Sequence, residues 1–332
     1  MRDLGDCSAR VLGRAGTGLS HHALMVGSSL VALVAALGPV AAQTIPARSP
    51  STLDAFGVPL TAAQFDTPEY RADWGLARIN AATAYARGFT GQGVMVAVVD
   101  SGIDPNHPEF HDAISPLSRN FILFSPNHPL IDTDTSANHG THVSGTIGAR
   151  RDGYGMMGVA FDSTILSLPT RYNSIELADA IDYAAASGAR VLNGSYGPNY
   201  SKPRDQNGNP NPYYYQLTSQ SYYQPYVDLE HEAIVNAAKN DVLMVFAAGN
   251  DGTYQPKLAH DPEGNALLPF IKPSNSSGNV YHFVDKDGTN ITNTVDYSDT
   301  SGYIIAVVAT DRGNKIADFS NGRVPGCGVA RR

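Results

Sequence analysis

The sequence contains little cysteine and little positive charge. The first shortage limits how the fold can be stabilised, and the second limits which partners the chain can bind. Its 332 residues include two cysteines, Cys7 and Cys327, so no framework of disulfide bonds is expected to hold the fold together. Acidic residues outnumber Lys and Arg by 31 to 23, which gives a formal net charge of −8. Such a chain is poorly suited to a phosphate backbone or an anionic membrane surface. We therefore expect no nucleic-acid partner.

Charge is also absent from a long run near the N-terminus. Residues Ala23 to Ala42 are mostly small and apolar, and they follow arginines at positions 2, 10 and 14. Residues 1–42 are predicted to be a signal peptide, so we expect export to the periplasm, cell surface or medium. A membrane helix is the alternative, because the run is nearly long enough to span a bilayer. Pro39 and the small residues before Gln43 favour the signal, so no stable membrane span is expected in the mature chain.

Beyond a predicted linker or short pro-region at 43–69, the sequence alternates strand and helix patterns. Apolar runs predict strands at 94–99, 163–168, 190–193, 242–247 and 304–310, and helical spacing predicts helices at 175–187 and 228–239. This alternation indicates an α/β fold, with a doubly wound, mostly parallel sheet that carries helices on both faces. Such sheets place their chemistry at the carboxyl ends of the strands.

Two polar insertions interrupt the alternation. Residues 198–225 are dense in Tyr, Asn and Pro, and they could line a substrate site or form a surface loop that packs on itself. Residues 251–301 are Gly-rich, and Asp287-Gly288 predicts a hairpin turn.

Residues suited to acid–base chemistry follow the predicted strands. Asp100 ends the first strand, where a rigid carboxylate could orient an imidazole or simply cap a turn. Asn138 is predicted to be the N-cap of a helix that exposes His139 as a base, whereas His142 is expected to hydrogen-bond within the core. Asn250 follows the strand predicted at 242–247, after Ala248 and Gly249, and its neutral amide could donate to an oxyanion there.

Five segments in order resemble the subtilisin family of serine proteases. They are V-A-V-V-D-S-G-I-D at 96–104, H-G-T-H-V-S-G-T-I at 139–147, V-L-N-G-S-Y-G at 191–197, F-A-A-G-N at 246–250, and A-V-V-A-T-D with I-A-D-F-S-N at 306–321. The resemblance implies a peptidase domain over residues 70–321, and the lead-in Y-R-A-D-W-G-L-A-R-I-N-A resembles autotransporter passenger proteases.

The resemblance also implies roles for individual residues. Asp100 would orient His139, His139 would be the general base, and Asn250 would donate to the oxyanion, a role for which the subtilisin asparagine is the standard example. Ser195, Tyr196 and Gly197 would form an edge strand that pairs with an extended peptide or protein substrate. Ala248 and Gly249 would line the opposite side of the pocket for the substrate side chain.

The family's nucleophile motif, Gly-Thr-Ser-Met-Ala, is missing from this sequence. Thr300-Ser301-Gly302 is the nearest match, but it precedes the strand predicted at 304–310, and Asp299 stands where Gly is expected. Residues 322–332 form a tail without apolar periodicity. We therefore expect a C-terminally incomplete domain that is inactive as a 332-residue chain, and a frameshift is one hypothesis for its truncation.

Two other functions remain open on the sequence alone. The chain could be a non-catalytic remnant that binds peptides or inhibitors in the same groove. It could also be a metallohydrolase that uses Asp100, Asp104, His139 and His142, although these residues lack the spacing and adjacent Glu of the helical zinc motif. No cofactor and no metal ligand are expected for the serine protease mechanism. Structural calcium is a further option that the resemblance raises, without assigned ligands.

Overall fold

The computed structural model describes the part of the chain that contains the predicted fold. The described residues are 52–55, 57–122, 130, 132, 138–196, 224–250, 271–272, 279–284, 290–295, 300 and 302–320. The predicted signal peptide at 1–42, most of the tyrosine-rich insertion and the tail at 322–332 lie outside them.

A five-stranded parallel sheet is the centre of the described fold. The strands are β1 (Met95–Asp100), β2 (Thr164–Pro169), β3 (Val191–Gly194), β4 (Leu243–Ala247) and β8 (Ile304–Val307). Their order in the sheet is β2-β1-β3-β4-β8, and every neighbouring pair is parallel. Non-sequential neighbours require crossover connections, so the predicted doubly wound α/β architecture is confirmed.

Helices cover both faces of this sheet. All six residues of β1 are buried, because its side chains alternate between two hydrophobic clusters. One cluster joins the sheet to α5 (Ser174–Ala186) and α6 (Gln224–Lys239), and the other joins it to α4 (His139–Gly148). The sheet is therefore the middle layer of three.

The segment that precedes β1 folds into short helices around an aromatic cluster. They are a 3₁₀ helix (Ala62–Phe65), α1 (Pro68–Ala72), α2 (Trp74–Arg78) and α3 (Ala81–Tyr85). The ring centroid of Tyr85 lies 5.4 Å from that of Phe65 and 4.9 Å from that of Phe161. Phe65 is fully buried, so residues assigned to the predicted linker contribute to the packed structure.

A second, antiparallel sheet lies within the 251–301 insertion. It consists of β5 (Ile271–Lys272), β6 (Asn279–Val284) and β7 (Asn290–Val295), in the order β5-β7-β6. β6 and β7 pair from Asn279↔Val295 to Val284↔Asn290, on either side of the turn predicted at Asp287-Gly288, which itself lies outside the described residues. Among the described helices, none is long and apolar enough to cross a membrane.

Candidate active site

The carboxyl end of β1 and the first residue of α4 meet in a hydrogen bond. His139 Nδ1 lies 2.7 Å from Asp100 Oδ1. The Asp100 side chain is 1% exposed, whereas the His139 side chain is 43% exposed. A buried carboxylate that fixes an accessible imidazole is the arrangement in which histidine can take up a proton from a neighbouring group.

Glycines allow α4 to approach the turn that follows β1. A Cβ added to Gly140 would lie 2.1 Å from the Gly102 carbonyl oxygen and 3.1 Å from Asp100 Oδ1. Gly102 itself has a φ of 132°, in the region that glycine adopts readily. The amide N–H of Gly140 donates to Ser101 Oγ at 2.9 Å. The small residues beside His139 therefore give the helix the close contact that brings the imidazole to Asp100.

Asp132 connects the same turn to α4, and the sequence analysis did not identify it. Its Oδ1 accepts from Ser101 Oγ at 2.6 Å, and its Oδ2 accepts from the amide and hydroxyl of Thr141, both at 2.8 Å. Asp132 is 4% exposed, so these donors satisfy a carboxylate that burial would otherwise destabilise. The network holds the start of α4 against the end of β1.

Tyr172 is the second residue of the site that the sequence analysis missed. It follows β2, and its hydroxyl donates to Asp100 Oδ1 at 3.0 Å. Burial, together with the Asp100 charge, raises the pKa of Tyr172 above its ordinary value, so the phenol stays neutral and can donate. The available signal was its place just beyond the carboxyl end of β2, at the edge of the sheet where Asp100 also lies.

Two expectations about the ends and faces of α4 need correction. Asn138 precedes the helix as predicted, but its side chain makes no capping hydrogen bond, since its backbone is left-handed with a φ of 49°. A capping residue ordinarily has extended backbone. His142, expected in the core, is exposed because α4 buries the face that contains Gly140, Ser144, Gly145 and Gly148.

The four residues considered for a metal site are not all brought together. Asp100 and His139 are paired, but Asp104 and His142 are both exposed. Among the described residues, no three His, Cys, Asp or Glu side chains cluster in a way that could hold a metal ion.

The predicted substrate segment begins where the pairing of β3 ends. Gly194 is the last paired residue of β3, and Ser195 and Tyr196 continue beyond it. Ser195 Oγ accepts from the Asn193 side-chain amide at 2.9 Å. The Tyr196 ring lies 6.0 Å from that of Phe246 and 5.8 Å from that of Tyr172. Gly197 lies outside the described residues.

The residues predicted to lie opposite this segment follow β4. Ala248 is fully buried, and its N–H donates to the Val307 carbonyl at 2.9 Å. Gly249 has a φ of 110°, which turns the chain sharply after the strand, and Asn250 is exposed. Because β1, β3 and β4 are parallel, their carboxyl ends bring Asp100, Ser195 and Asn250 to one edge of the sheet.

Comparison with known proteins identifies a family for this fold and site. Residues 91–325 match the model of the subtilase family. An extracellular serine protease of Serratia marcescens is 31% identical over 271 residues, which cover 74% of this chain and 25% of the relative. Subtilisin BL of Lederbergia lenta is 32% identical over 184 residues, which cover 54% of this chain and 56% of the relative. The chain thus spans about a quarter of the length of the Serratia protease.

A solved structure agrees with the fold. The nisin leader peptidase NisP of Lactococcus lactis superimposes with a TM-score of 0.51 and 23% identity, over 76% of this chain and 66% of that chain. This similarity supports the α/β architecture, and the family match contains all five strands of the parallel sheet. The chain belongs to the subtilase family.

Proposed function

We propose that this chain is the part of a secreted subtilisin-like endopeptidase that carries the general base. The observation that supports this most directly is the 2.7 Å contact between His139 Nδ1 and the buried carboxylate of Asp100. Secretion is supported by the uncharged run at 23–42 and by relatives described as extracellular proteases. The substrate class is an extended peptide or protein.

Each proposed role follows from what the side chain can do. Asp100 accepts the Nδ1 proton, which leaves Nε2 of His139 as the nitrogen that takes a proton from a nucleophile. Asn250 donates its amide to the oxyanion that forms when the peptide carbonyl is attacked. Backbone groups of Ser195–Gly197 pair with the substrate on one side, and Ala248 and Gly249 flank it on the other.

The titration of His139 tests the proposed pair. We expect Asp100→Asn to lower the pKa of His139 by about one unit or more, because the imidazolium loses the negative charge that stabilises it. Histidine ring signals in NMR spectra recorded across pH give the midpoint, and His139→Gln identifies the signal. The ring signal of His111, which lies 2.8 Å from Asp152, is the internal control. An unaltered His139 midpoint in Asp100→Asn would contradict the proposed pair.

The nucleophile is the second part of the proposal. The sequence contains no Gly-Thr-Ser-Met-Ala, and we infer that the 332-residue chain does not hydrolyse peptides by itself. We expect a fluorophosphonate probe, which reacts with activated serine hydroxyls, to label the folded chain no more than the urea-denatured chain. A subtilisin treated in parallel shows that the probe is active. Labelling of one serine that disappears in His139→Gln would overturn this inference.

A further inference from the structure

The loop after β2 brings a tyrosine to the Asp100–His139 pair. Asp100 is in register with Pro169, the last residue of β2, and the Thr170 N–H donates to the Asp100 carbonyl at 2.9 Å. Tyr172 stands two residues further on. The loop is therefore attached to the backbone of Asp100 itself, and the position of Tyr172 is tied to that of the carboxylate.

The hydroxyl of Tyr172 shares one carboxylate oxygen with the histidine. Asp100 Oδ1 accepts from Tyr172 at 3.0 Å, from His139 Nδ1 at 2.7 Å and from the Ser101 N–H at 2.7 Å. Each donor withdraws part of the negative charge from the oxygen that the imidazole contacts. The hydrogen bond from Tyr172 therefore acts on the same charge that would stabilise a protonated His139.

Tyr172 holds this position in a backbone conformation that non-glycine residues adopt uncommonly. Its φ is 59°, in the left-handed region. The loop around it is fixed by local hydrogen bonds: Arg171 N–H donates to Glu176 Oε2 at 2.6 Å, and Asn173 caps α5 by accepting from the Glu176 N–H at 3.1 Å. Unfavourable backbone that is held by surrounding structure is common at functional sites.

The ring of Tyr172 faces the predicted substrate segment. Its centroid lies 5.8 Å from that of Tyr196, with an angle of 34° between the planes, and Tyr196 in turn packs edge-on against Phe246 of β4. Packed aromatic pairs of this kind contribute beyond the area they bury. The phenol is thus supported from the strand ends on both sides of β1.

We propose that Tyr172 is a positioning residue that sets the basicity of His139 through its hydrogen bond to Asp100. The inference rests on the proposed function, because it assigns Tyr172 to the Asp100–His139 pair. Removing the hydroxyl leaves more negative charge on Oδ1, so the imidazolium is better stabilised and the pKa of His139 rises. This rise is opposite to the fall in the pKa of His139 that is expected for Asp100→Asn, because that substitution removes the negative charge of the carboxylate itself.

Titration of the His139 ring in Tyr172→Phe tests this inference on the full chain. We expect the midpoint to rise by about half a pH unit relative to the unsubstituted protein. Tyr183→Phe is the control, because Tyr183 also donates one hydrogen bond through its hydroxyl, to the Leu117 carbonyl at 2.9 Å. It should leave the midpoint unchanged, since its hydroxyl does not contact Asp100.

A second variant is expected to shift the titration midpoint of His139 in the opposite direction, and it retains the hydroxyl group. Site-specific 3-fluorotyrosine at position 172 keeps the phenol but makes it more acidic and a stronger donor, so the midpoint of His139 should fall. A merely structural tyrosine would tolerate both replacements without these opposite shifts. Urea unfolding of each variant, monitored by circular dichroism, verifies that the titrated protein is folded.

The outcomes separate this inference from the proposed function. A fall in Asp100→Asn together with a rise in Tyr172→Phe supports both. A fall in Asp100→Asn with no change, or a fall, in Tyr172→Phe overturns the role of Tyr172 and leaves the proposed pair intact. If Tyr172→Phe does not fold, a midpoint that fails to decrease in the fluorotyrosine protein overturns the role instead. No change in Asp100→Asn overturns the pair on which the inference depends.

Discussion

At the scale of single residues, the candidate active site depends on residues of small volume as much as on polar side chains. Gly140 is the clearest case, because its position against Gly102 leaves no room for a methyl group. The same residue provides the N–H that bonds to Ser101, whose hydroxyl bonds in turn to Asp132. The close contact between Gly140 and Gly102 and the hydrogen bond from Gly140 to Ser101 therefore depend on each other. Both would be lost if α4 moved away from β1.

Substituting Gly140 with alanine should destabilise the protein by about 1–3 kcal/mol or more. The added Cβ would lie 2.1 Å from the Gly102 carbonyl oxygen and 2.9 Å from its nitrogen, both backbone atoms that cannot rotate away. Gly140 is helical, so alanine would otherwise be favoured there by about 0.5–1 kcal/mol. The free energy of unfolding in urea measures the net effect.

Gly145→Ala is the matched control in the same helix. Its Cβ would meet only Phe110 Cζ, at 3.9 Å, which is an ordinary van der Waals contact. The gain in helix propensity should therefore appear unopposed, and the variant should be as stable as the unsubstituted protein or slightly more stable. Equal effects of the two substitutions would contradict the steric explanation for Gly140.

At the scale of elements, local patterns predicted most of the sheet and its helices. The strand predicted at 94–99 is Met95–Asp100, and the helix predicted at 175–187 is Ser174–Ala186. These succeeded because a strand buried on both faces leaves an unbroken apolar run, whereas a helix on its surface leaves a 3.6-residue period. The strand predicted at 304–310 is shorter, Ile304–Val307, because its pairing with β4 ends there.

Contacts between elements were predictable only in part. The parallel arrangement and the family resemblance placed Asp100 beside His139, a contact that the structure shows, although the catalytic roles stay predictions. Tyr172 and Asp132 escaped prediction, because they contact Asp100 and Ser101 across 72 and 31 residues of sequence. Nothing in their local sequence marks a long-range hydrogen bond. The path of the loops in the folded chain determines which distant residues form these hydrogen bonds.

At the scale of the whole molecule, folding removes several carboxyl groups wholly or partly from water. Burial raises the pKa of Glu109, Asp179, Asp182 and Glu230 above their ordinary values. Glu230, on the face of α6 that packs against α5, is affected most clearly: its pKa rises to about 7, although a hydrogen bond with Ser174 partly opposes the increase. Each such group binds a proton more readily in the folded chain than in the unfolded chain.

Stability is therefore expected to fall as the pH rises through the range in which Glu230 ionises. The unfolded chain loses this proton near pH 4.5 and the folded chain near pH 7, so the stabilisation is present below that window and is lost across it. A shift of this size corresponds to about 3 kcal/mol.

Urea titrations test this expectation. The free energy of unfolding should be lower at pH 8 than at pH 5, and Glu230→Gln should remove most of the difference. Glu232→Gln, an exposed change on the same helix, should retain it. An equal pH dependence in the two variants would show that the buried carboxyl of Glu230 is not its source.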